Sequence, residues 1–291
     1  GLVTALYRRL YRPLYSRLAQ ATLLVIVASG ALLCGRYLIE GGLHPAPGSP
    51  APSLVLPVVA AMLLQGLLHE LGHAITAKHF GREVHRAGIG WYFFMPVAFV
   101  DTSDMWLAPR LPRATVAFAG PYTNFVLSGL FTLLIPLVAD PAVRFLLFQF
   151  ALTGYLLGLA NLNPLLEFDG YYVLMDWLDV PNLRVKALGF LGAVLWRAGR
   201  TTSDIRLGRI FLCYGALALF YTLFVAASTL TGYHSYVQRL VDRVLPVYVA
   251  GLLGWAVAAL MTWLILARAW GDLRTGARQA QRRAPVRAAE A

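Results

Sequence analysis

Long apolar runs separated by short polar segments dominate the pattern of this chain. Several runs reach the roughly 20 residues that a helix needs to cross the hydrocarbon core of a bilayer. The pattern predicts six spanning helices, at about residues 18–38, 54–77, 114–138, 143–162, 210–230 and 247–266. The third run contains Ala119-Gly120-Pro121. We expect this helix to be interrupted there, because proline lacks the N–H that a helix interior requires.

One further apolar stretch, WYFFMPVAFV at residues 91–100, is too short to span as a helix. It contains Pro96 and is rich in aromatic and β-branched residues, so we predict an extended or re-entrant segment packed on protein. It would either present an edge strand to an unfolded substrate or fill the membrane interface as an aromatic plug. Asp101 and Asp104 follow it and are expected to cap or brace it. The predicted fold class is an all-α polytopic membrane protein, with about six transmembrane helices and a short re-entrant or β-like segment near residues 91–100.

Basic segments flank the membrane region at both ends of the chain. Residues 1–17 combine Tyr and Leu at helical spacing with four Arg, which is typical of an interfacial lead-in. Residues 18–268 form the predicted membrane domain, and a further interfacial helix is expected around residues 185–195. Residues 269–291 are a basic tail that we expect to be disordered.

Composition and charge agree with a membrane protein. Hydrophobic residues make up 58% and charged residues 13% of the chain, whereas soluble domains carry about 25% charged residues. The mean hydropathy is +0.63. The formal charge of +11 comes from arginines that flank apolar segments, so we expect no nucleic-acid partner. In the six-span arrangement, 21 of the 25 Lys and Arg lie on one side, which predicts that both termini are cytoplasmic.

The second predicted span carries the pattern His-Glu-x-x-His at His69, Glu70 and His73. Residues i and i+4 share one face of a helix, so the two imidazoles can bind the same metal ion. Glu70 lies close enough to reach a water on that metal. Zinc suits two imidazoles, one carboxylate and a fourth position open to water. Ionisable side chains at membrane depth are costly, and they indicate function by default.

A zinc site of this kind needs a third protein ligand, and Asp169 is the favoured candidate. It lies in a segment in which Pro164 and Gly170 predict a broken helix at the end of the fourth span. The second and fourth spans end on the same side of the membrane, so Asp169 and the His pair lie at comparable depth. Glu167 is the rival carboxylate. His79 and His85 are less suitable, because a continuing helix turns His79 off the ligand face.

These motifs together resemble the site-2 protease family of intramembrane zinc metalloproteases. The residues that match the family's two main motifs are His69, Glu70, His73, Asn161, Pro164, Asp169 and Gly170. Gly120, Pro121 and Asn124 resemble the family's Gly-Pro-x-x-Asn element. The stretch NPLLEFDGYY is most similar to a bacterial branch of peptide zinc metalloproteases, whose members are often joined to export-adaptor modules. The resemblance covers roughly residues 54–180, which we expect to be the catalytic core.

The resemblance implies an enzyme that binds one Zn²⁺ per chain and hydrolyses peptide bonds in membrane-embedded or exported peptides. Glu70 would act as general base and pass the proton to the leaving amine. Asn161 would contact the substrate, although Asn161 or Asn163 could instead satisfy carbonyls freed by the broken helix. The expected surroundings are a bacterial cytoplasmic membrane, a peptide or transmembrane-segment substrate, and an export-adaptor partner. The alternative is a non-proteolytic zinc-binding component of a peptide-export system; an ion transporter ranks lower, because the other spans carry few charges.

Overall fold

The computed structural model describes residues 7, 11–43, 51–92, 95–196, 205–241 and 247–288, without the side chains of some residues inside these ranges. Within them, six helices are long and apolar enough to cross a membrane. These segments are Arg17–Ile39, Pro57–His79, Arg110–Leu137, Pro141–Asn161, Ile205–Gly232 and Tyr248–Thr275. The predicted fold class, with six spanning helices and a short β segment, is confirmed.

The described residues form eight α-helices and one two-stranded sheet. The first four helices are α1 (Arg17–Ile39), α2 (Ala51–His79), α3 (Arg110–Leu134) and α4 (Pro141–Asn161); the last four are α5 (Asp169–Leu178), α6 (Leu183–Leu195), α7 (Ile205–Val241) and α8 (Val247–Ala288). The strands are β1 (Ala87–Tyr92) and β2 (Met95–Val100), and short 3₁₀ turns lie at Arg12–Tyr15, Ser103–Leu107 and Ile135–Leu137. Helix α8 continues to Ala288 and therefore includes most of the basic tail.

Side-chain caps fix the start of two spanning helices. The Ser16 hydroxyl accepts a hydrogen bond from the Ala19 N–H (3.3 Å) at the start of α1. The Asp140 carboxylate accepts one from the Ala142 N–H (2.7 Å) at the start of α4, where Pro141 occupies the first helical position. Both side chains satisfy N–H groups that have no partner inside the helix.

Helix α3 runs without a break through Gly120 and Pro121, so the predicted interruption was wrong. Proline removes one hydrogen bond, but the carbonyl that it leaves unpaired is tolerated when neighbouring helices pack around the helix. Here Ala119, Gly120 and Pro121 are all buried. Packing against neighbours therefore preserves a helix that local propensity would break.

The strands β1 and β2 form an antiparallel hairpin with Ala87 opposite Val100 and Tyr92 opposite Met95. The extended segment predicted near 91–100 thus includes the end of β1 and the whole of β2, and β2 lies against α2. The Asp101 carboxylate accepts a hydrogen bond from the Ser103 N–H (3.0 Å) and caps the following turn. The Asp104 carboxylate accepts one from the Glu83 N–H (2.9 Å), so it braces the segment that precedes the hairpin.

The chain forms two compact units, residues 1–179 and 180–291. In the first unit, α3 is the central helix and packs against α1, α2, α4 and α5. In the second, α7 and α8 pack along each other, and α6 contacts both. The predicted helix at 185–195 is present as α6. Every residue of the candidate site described next belongs to the first unit.

Candidate metal centre

Two imidazoles of α2 meet in the interior of the first unit. His69 and His73 are 7% and 8% exposed, and their Nε2 atoms lie 3.2 Å apart. One helical turn separates the two residues, which places both side chains on one face, as the His-Glu-x-x-His spacing predicts. The two nitrogens therefore face the same point.

The Asp169 carboxylate reaches that point from the first residue of α5. Its two oxygens lie 2.9 Å from His69 Nε2 and 3.4 Å from His73 Nε2. Burial favours the neutral acid, but the hydrogen bonds from the two imidazoles outweigh it and lower the pKa of Asp169 to about 2. The side chain is therefore a carboxylate at neutral pH, as a metal ligand must be.

The Glu70 carboxylate is the fourth group at this point. The ligand atoms of His69, Glu70 and His73 all lie within 4.8 Å of one another. Glu70 also lies beside the backbone of Val100, at the end of β2. The hairpin and the metal-ligand candidates thus border the same space.

Residues of helix α3 contact the Nδ1 atoms of both imidazoles. The Val116 carbonyl oxygen lies 2.7 Å from His73 Nδ1 and accepts its proton. Asn124, which is 1% exposed, lies with its amide nitrogen 3.2 Å from His69 Nδ1. Its Oδ1 atom has no hydrogen-bond partner among the described residues. A half-turn of this amide would let Oδ1 accept the Nδ1 proton, and both Nε2 atoms would then be free to bind a metal.

Gly120 of α3 provides the space in which the imidazoles meet. A Cβ atom added there would lie 2.5 Å from His69 Nε2 and closer still to His73 Nε2. A side chain at this position would therefore occupy the place of the imidazoles themselves. The site offers a zinc ion three donors: the Nε2 atoms of two hydrogen-bonded imidazoles and a carboxylate. The absence of a side chain at Gly120 leaves room for them. The residues present fit the metal.

A cleft of about 460 Å³ opens from this point. Glu70, His73 and Asp169 line it together with Trp106, Arg113 and Asp176. The Arg113 guanidinium donates to the Asp176 carboxylate (Nε to Oδ1, 2.8 Å) and to that of Asp179 (3.0 Å). Burial raises the pKa of Asp176, and the positive charge of Arg113 opposes that rise. The cleft thus contains an ion pair, Arg113 and Asp176, that the sequence analysis did not predict.

The other candidates from the sequence have the following surroundings. Asn161 is the half-buried last residue of α4 and does not line the cleft, so its role as a substrate contact stays a prediction. The Asn163 side chain accepts a hydrogen bond from the Leu165 N–H (2.9 Å). It thus pairs with a backbone group of the broken helix. Asp169, the favoured one of the two rival carboxylates, contacts both imidazoles. His79 stacks on Tyr15 with ring centroids 3.9 Å apart.

Sequence reasoning gave no roles to Arg113, Val116 or Asp176, and it noted Gly120 and Asn124 only as parts of a motif. A helical-face analysis of α3 would have provided a signal. Positions 113, 116, 120 and 124 recur every three or four residues and therefore lie along one stripe of the helix. The backbone contact of Val116 leaves no trace in the sequence.

The sequence of this chain is similar to those of several known proteins. Residues 57–140 match the family model described as Peptidase family M50. The chain is 27% identical to "Putative peptide zinc metalloprotease protein YydH" of Bacillus subtilis, over 42% of this chain and 48% of that protein. It is 27% identical to "Zinc metalloprotease MJ0392" of Methanocaldococcus jannaschii, over 53% of this chain and 41% of that protein.

A third relative, "Putative zinc metalloprotease YwhC" of Bacillus subtilis, is 28% identical over 46% of this chain and 74% of its own length. The chain thus spans less than half of YydH and of MJ0392. No solved structure matches it. The six apolar helices and the family match together identify an integral membrane protein. Residues 57–140 match the peptidase family M50, and the resemblance of the chain to the site-2 protease family is confirmed.

Proposed function

We propose that the chain is an intramembrane zinc metalloprotease that hydrolyses peptide bonds in membrane-embedded or exported peptides. One observation carries the proposal: two tethered imidazoles and an ionised carboxylate converge at one point, with a second carboxylate beside them in an open cleft. His69, His73 and Asp169 would hold the metal. When bound, zinc polarises the scissile carbonyl and lowers the pKa of a bound water.

The chain's own residues would supply the proton transfers. The Glu70 carboxylate takes a proton from the attacking water and later delivers it to the leaving amine nitrogen. The Val116 carbonyl and the Asn124 side chain keep the imidazoles oriented, so that no ring rotation accompanies the reaction. The cleft beside Val100 gives an extended peptide a path to the reacting atoms. The positive-inside charge pattern supports a site near the cytoplasmic face of the membrane, with both termini on that side.

The substitution Glu70→Gln tests this proposal. Wild type and variant are reconstituted in liposomes with a set of single-span peptides, each carrying about 20 apolar residues. Mass spectrometry of the products identifies any cleaved bond. We expect Glu70→Gln to lower the cleavage rate by at least about 100-fold, because general acid–base groups contribute roughly 10²–10⁴-fold. Zinc content should remain at the wild-type value.

The matched control is Glu40→Gln. Glu40 pairs with Arg36 at the exposed end of α1 and lies outside the cleft. It should leave both the cleavage rate and the zinc content unchanged. Cleavage by Glu70→Gln at the wild-type rate would refute the role of Glu70. A wild-type protein that binds zinc one-to-one and cuts none of the peptides would favour the non-proteolytic export component instead.

A further inference from the structure

The Arg113–Asp176 pair lines the cleft, and the described hydrogen bonds of Arg113 go to groups other than the candidate metal ligands. The Asp176 side chain is 8% exposed and that of Arg113 is 17% exposed. Each guanidinium nitrogen has a partner, since Nη1 donates to the Ala108 carbonyl (3.1 Å) in addition to the two carboxylate contacts. A buried ion pair with this many hydrogen bonds is strongly constrained in geometry.

The pair joins helix α3 to the far end of helix α5. Asp176 lies in the last turn of α5, and Asp179 ends that helix in the left-handed conformation, with φ 55°. A guanidinium at this position also interacts favourably with the negative end of the helix dipole. Because α5 has only ten residues, it depends on contacts with its neighbours for its position. Arg113 supplies the charged contact at its carboxyl end.

The amino end of the same helix carries the candidate metal ligand. Asp169 and Asp176 are seven residues apart, so they lie about 20° from each other around the helix axis. A rotation or slide of α5 that breaks the contact with Arg113 therefore moves the Asp169 carboxylate as well. At Gly170 the helix touches the backbone of Leu162, where a Cβ would clash. The position of Asp169 is thus fixed at both ends of α5.

Arg113 also extends the stripe of α3 that holds the imidazoles. Val116 follows it by three residues and accepts the proton of His73 Nδ1, while Gly120 and Asn124 lie one and two turns further along. One face of a single helix thus touches both imidazoles directly and the carboxylate-bearing helix through Asp176. The relative placement of all three ligand candidates depends on this face.

From this arrangement we propose that Arg113 and Asp176 are positioning residues, which hold the Asp169 carboxylate at the distance from His69 and His73 that a metal ion requires. This inference rests on the proposed metal centre and assigns the residues that set its geometry. Metal–ligand distances tolerate changes of about 0.2 Å. A helix as short as α5, without its charged anchor, would not hold the carboxylate within that range.

The test uses Co²⁺ as a visible probe in the detergent-purified full chain. We expect Arg113→Gln and Asp176→Asn each to weaken Co²⁺ binding about 10–100-fold, as loss of supporting partners around a metal does, and to change the visible bands of the bound ion. The charge-reversed double variant Arg113→Asp with Asp176→Arg should recover part of the affinity that either single reversal loses. Glu40→Gln is the matched control, because Glu40 belongs to an exposed ion pair with Arg36 outside the cleft, and it should bind Co²⁺ within about twofold of wild type.

A remote packing variant separates positioning from general destabilisation. Ile135 is fully buried against Cys34 and Phe148, away from the cleft. Ile135→Ala should lower thermal stability at least as much as the Arg113 variant while retaining the wild-type cobalt spectrum. The positioning role is overturned if Ile135→Ala weakens Co²⁺ binding as strongly, or if Arg113→Gln and Asp176→Asn bind Co²⁺ with wild-type affinity and spectrum.

A metal-free readout distinguishes this inference from the proposed function. Cys34 and Cys213 are replaced by Ala, and His73→Cys and Asp169→Cys are introduced together. A short bifunctional thiol reagent should link the two introduced cysteines at least fivefold faster when residue 113 is Arg than in the same protein with Arg113→Gln. If the wild type binds no metal but linking still depends on Arg113, the metal centre fails and the positioning of α5 stands. If linking is independent of Arg113, the positioning role is overturned.

Discussion

The substitution Gly120→Ala tests whether the His69 and His73 imidazoles of α2 bind a metal where they approach Gly120 of α3. Gly120 faces the two imidazoles, and a Cβ atom there would lie 2.5 Å from His69 Nε2. The backbone of Gly120 is helical, so alanine itself is not strained at this position. In a helix interior alanine is more favourable than glycine by about 1 kcal/mol. Any loss of function therefore comes from the space that the methyl group occupies.

The expected magnitude follows from the distances. Ordinary van der Waals contact begins at 3.4 Å, so His69 Nε2 must move by about 0.9 Å. That is several times the roughly 0.2 Å that metal–ligand distances tolerate. Zinc sites with four ligands gain about 10–16 kcal/mol, or about 3 kcal/mol per ligand. Loss of one proper ligand distance should therefore weaken zinc binding about 100-fold.

Gly66→Ala provides the matched control, because Gly66 lies in the same spanning helix as the imidazoles and has nothing within 4 Å of an added Cβ. Both variants are purified in detergent, and zinc affinity is measured by competition with a chromophoric chelator. Gly66→Ala should bind zinc as wild type does. If Gly120→Ala binds zinc within threefold of Gly66→Ala, the imidazoles do not meet a metal at the place that the structure gives.

Three further predictions use the same preparations. Zinc stoichiometry should be near one per chain in wild type and in Glu167→Gln, and lost or strongly weakened in His69→Ala and Asp169→Ala; zinc retained by Asp169→Ala would place the third ligand elsewhere. Chelation should lower the thermal midpoint of wild type, since a ligand at 100 times its Kd stabilises by about 2.7 kcal/mol, but should leave that of His69→Ala unchanged. Gly154→Ala should lower the midpoint, because an added Cβ would overlap two buried polar side chains and overpacking costs about 1–3 kcal/mol; a raised midpoint would contradict the packing of α4.

Much of the fold followed from the sequence because membrane spans depend on local composition. Apolar runs of about 20 residues define such helices without knowledge of their neighbours. The His-Glu-x-x-His spacing was equally local, since four residues place two side chains on one face. The contact with Asp169, about 100 residues later, needed one more step. Counting spans placed Asp169 at the same side of the membrane as His69 and His73, and the structure brings the three together.

The remaining features depended on contacts between helices, which local patterns do not encode. Pro121 predicted a break that packing prevented. Arg113 and Asp176 are 63 residues apart, and no local pattern in the sequence links them. The hydrogen bond of His73 Nδ1 goes to a backbone carbonyl, which any residue at position 116 could offer. Such contacts become visible only when the face that each helix presents is known.

The charges at the candidate site argue for a divalent ion at this depth. When both Nε2 atoms bind a metal, the imidazoles of His69 and His73 are neutral, and the carboxylates of Glu70 and Asp169 contribute two negative charges. Desolvation makes an uncompensated charge costly, and two neighbouring carboxylates repel each other. The Arg113 guanidinium does not cancel them, because its hydrogen bonds go to Asp176, Asp179 and a backbone carbonyl. A divalent cation neutralises the two negative charges of Glu70 and Asp169. Glu70 then forms no ion pair with Arg113 and can act as a base.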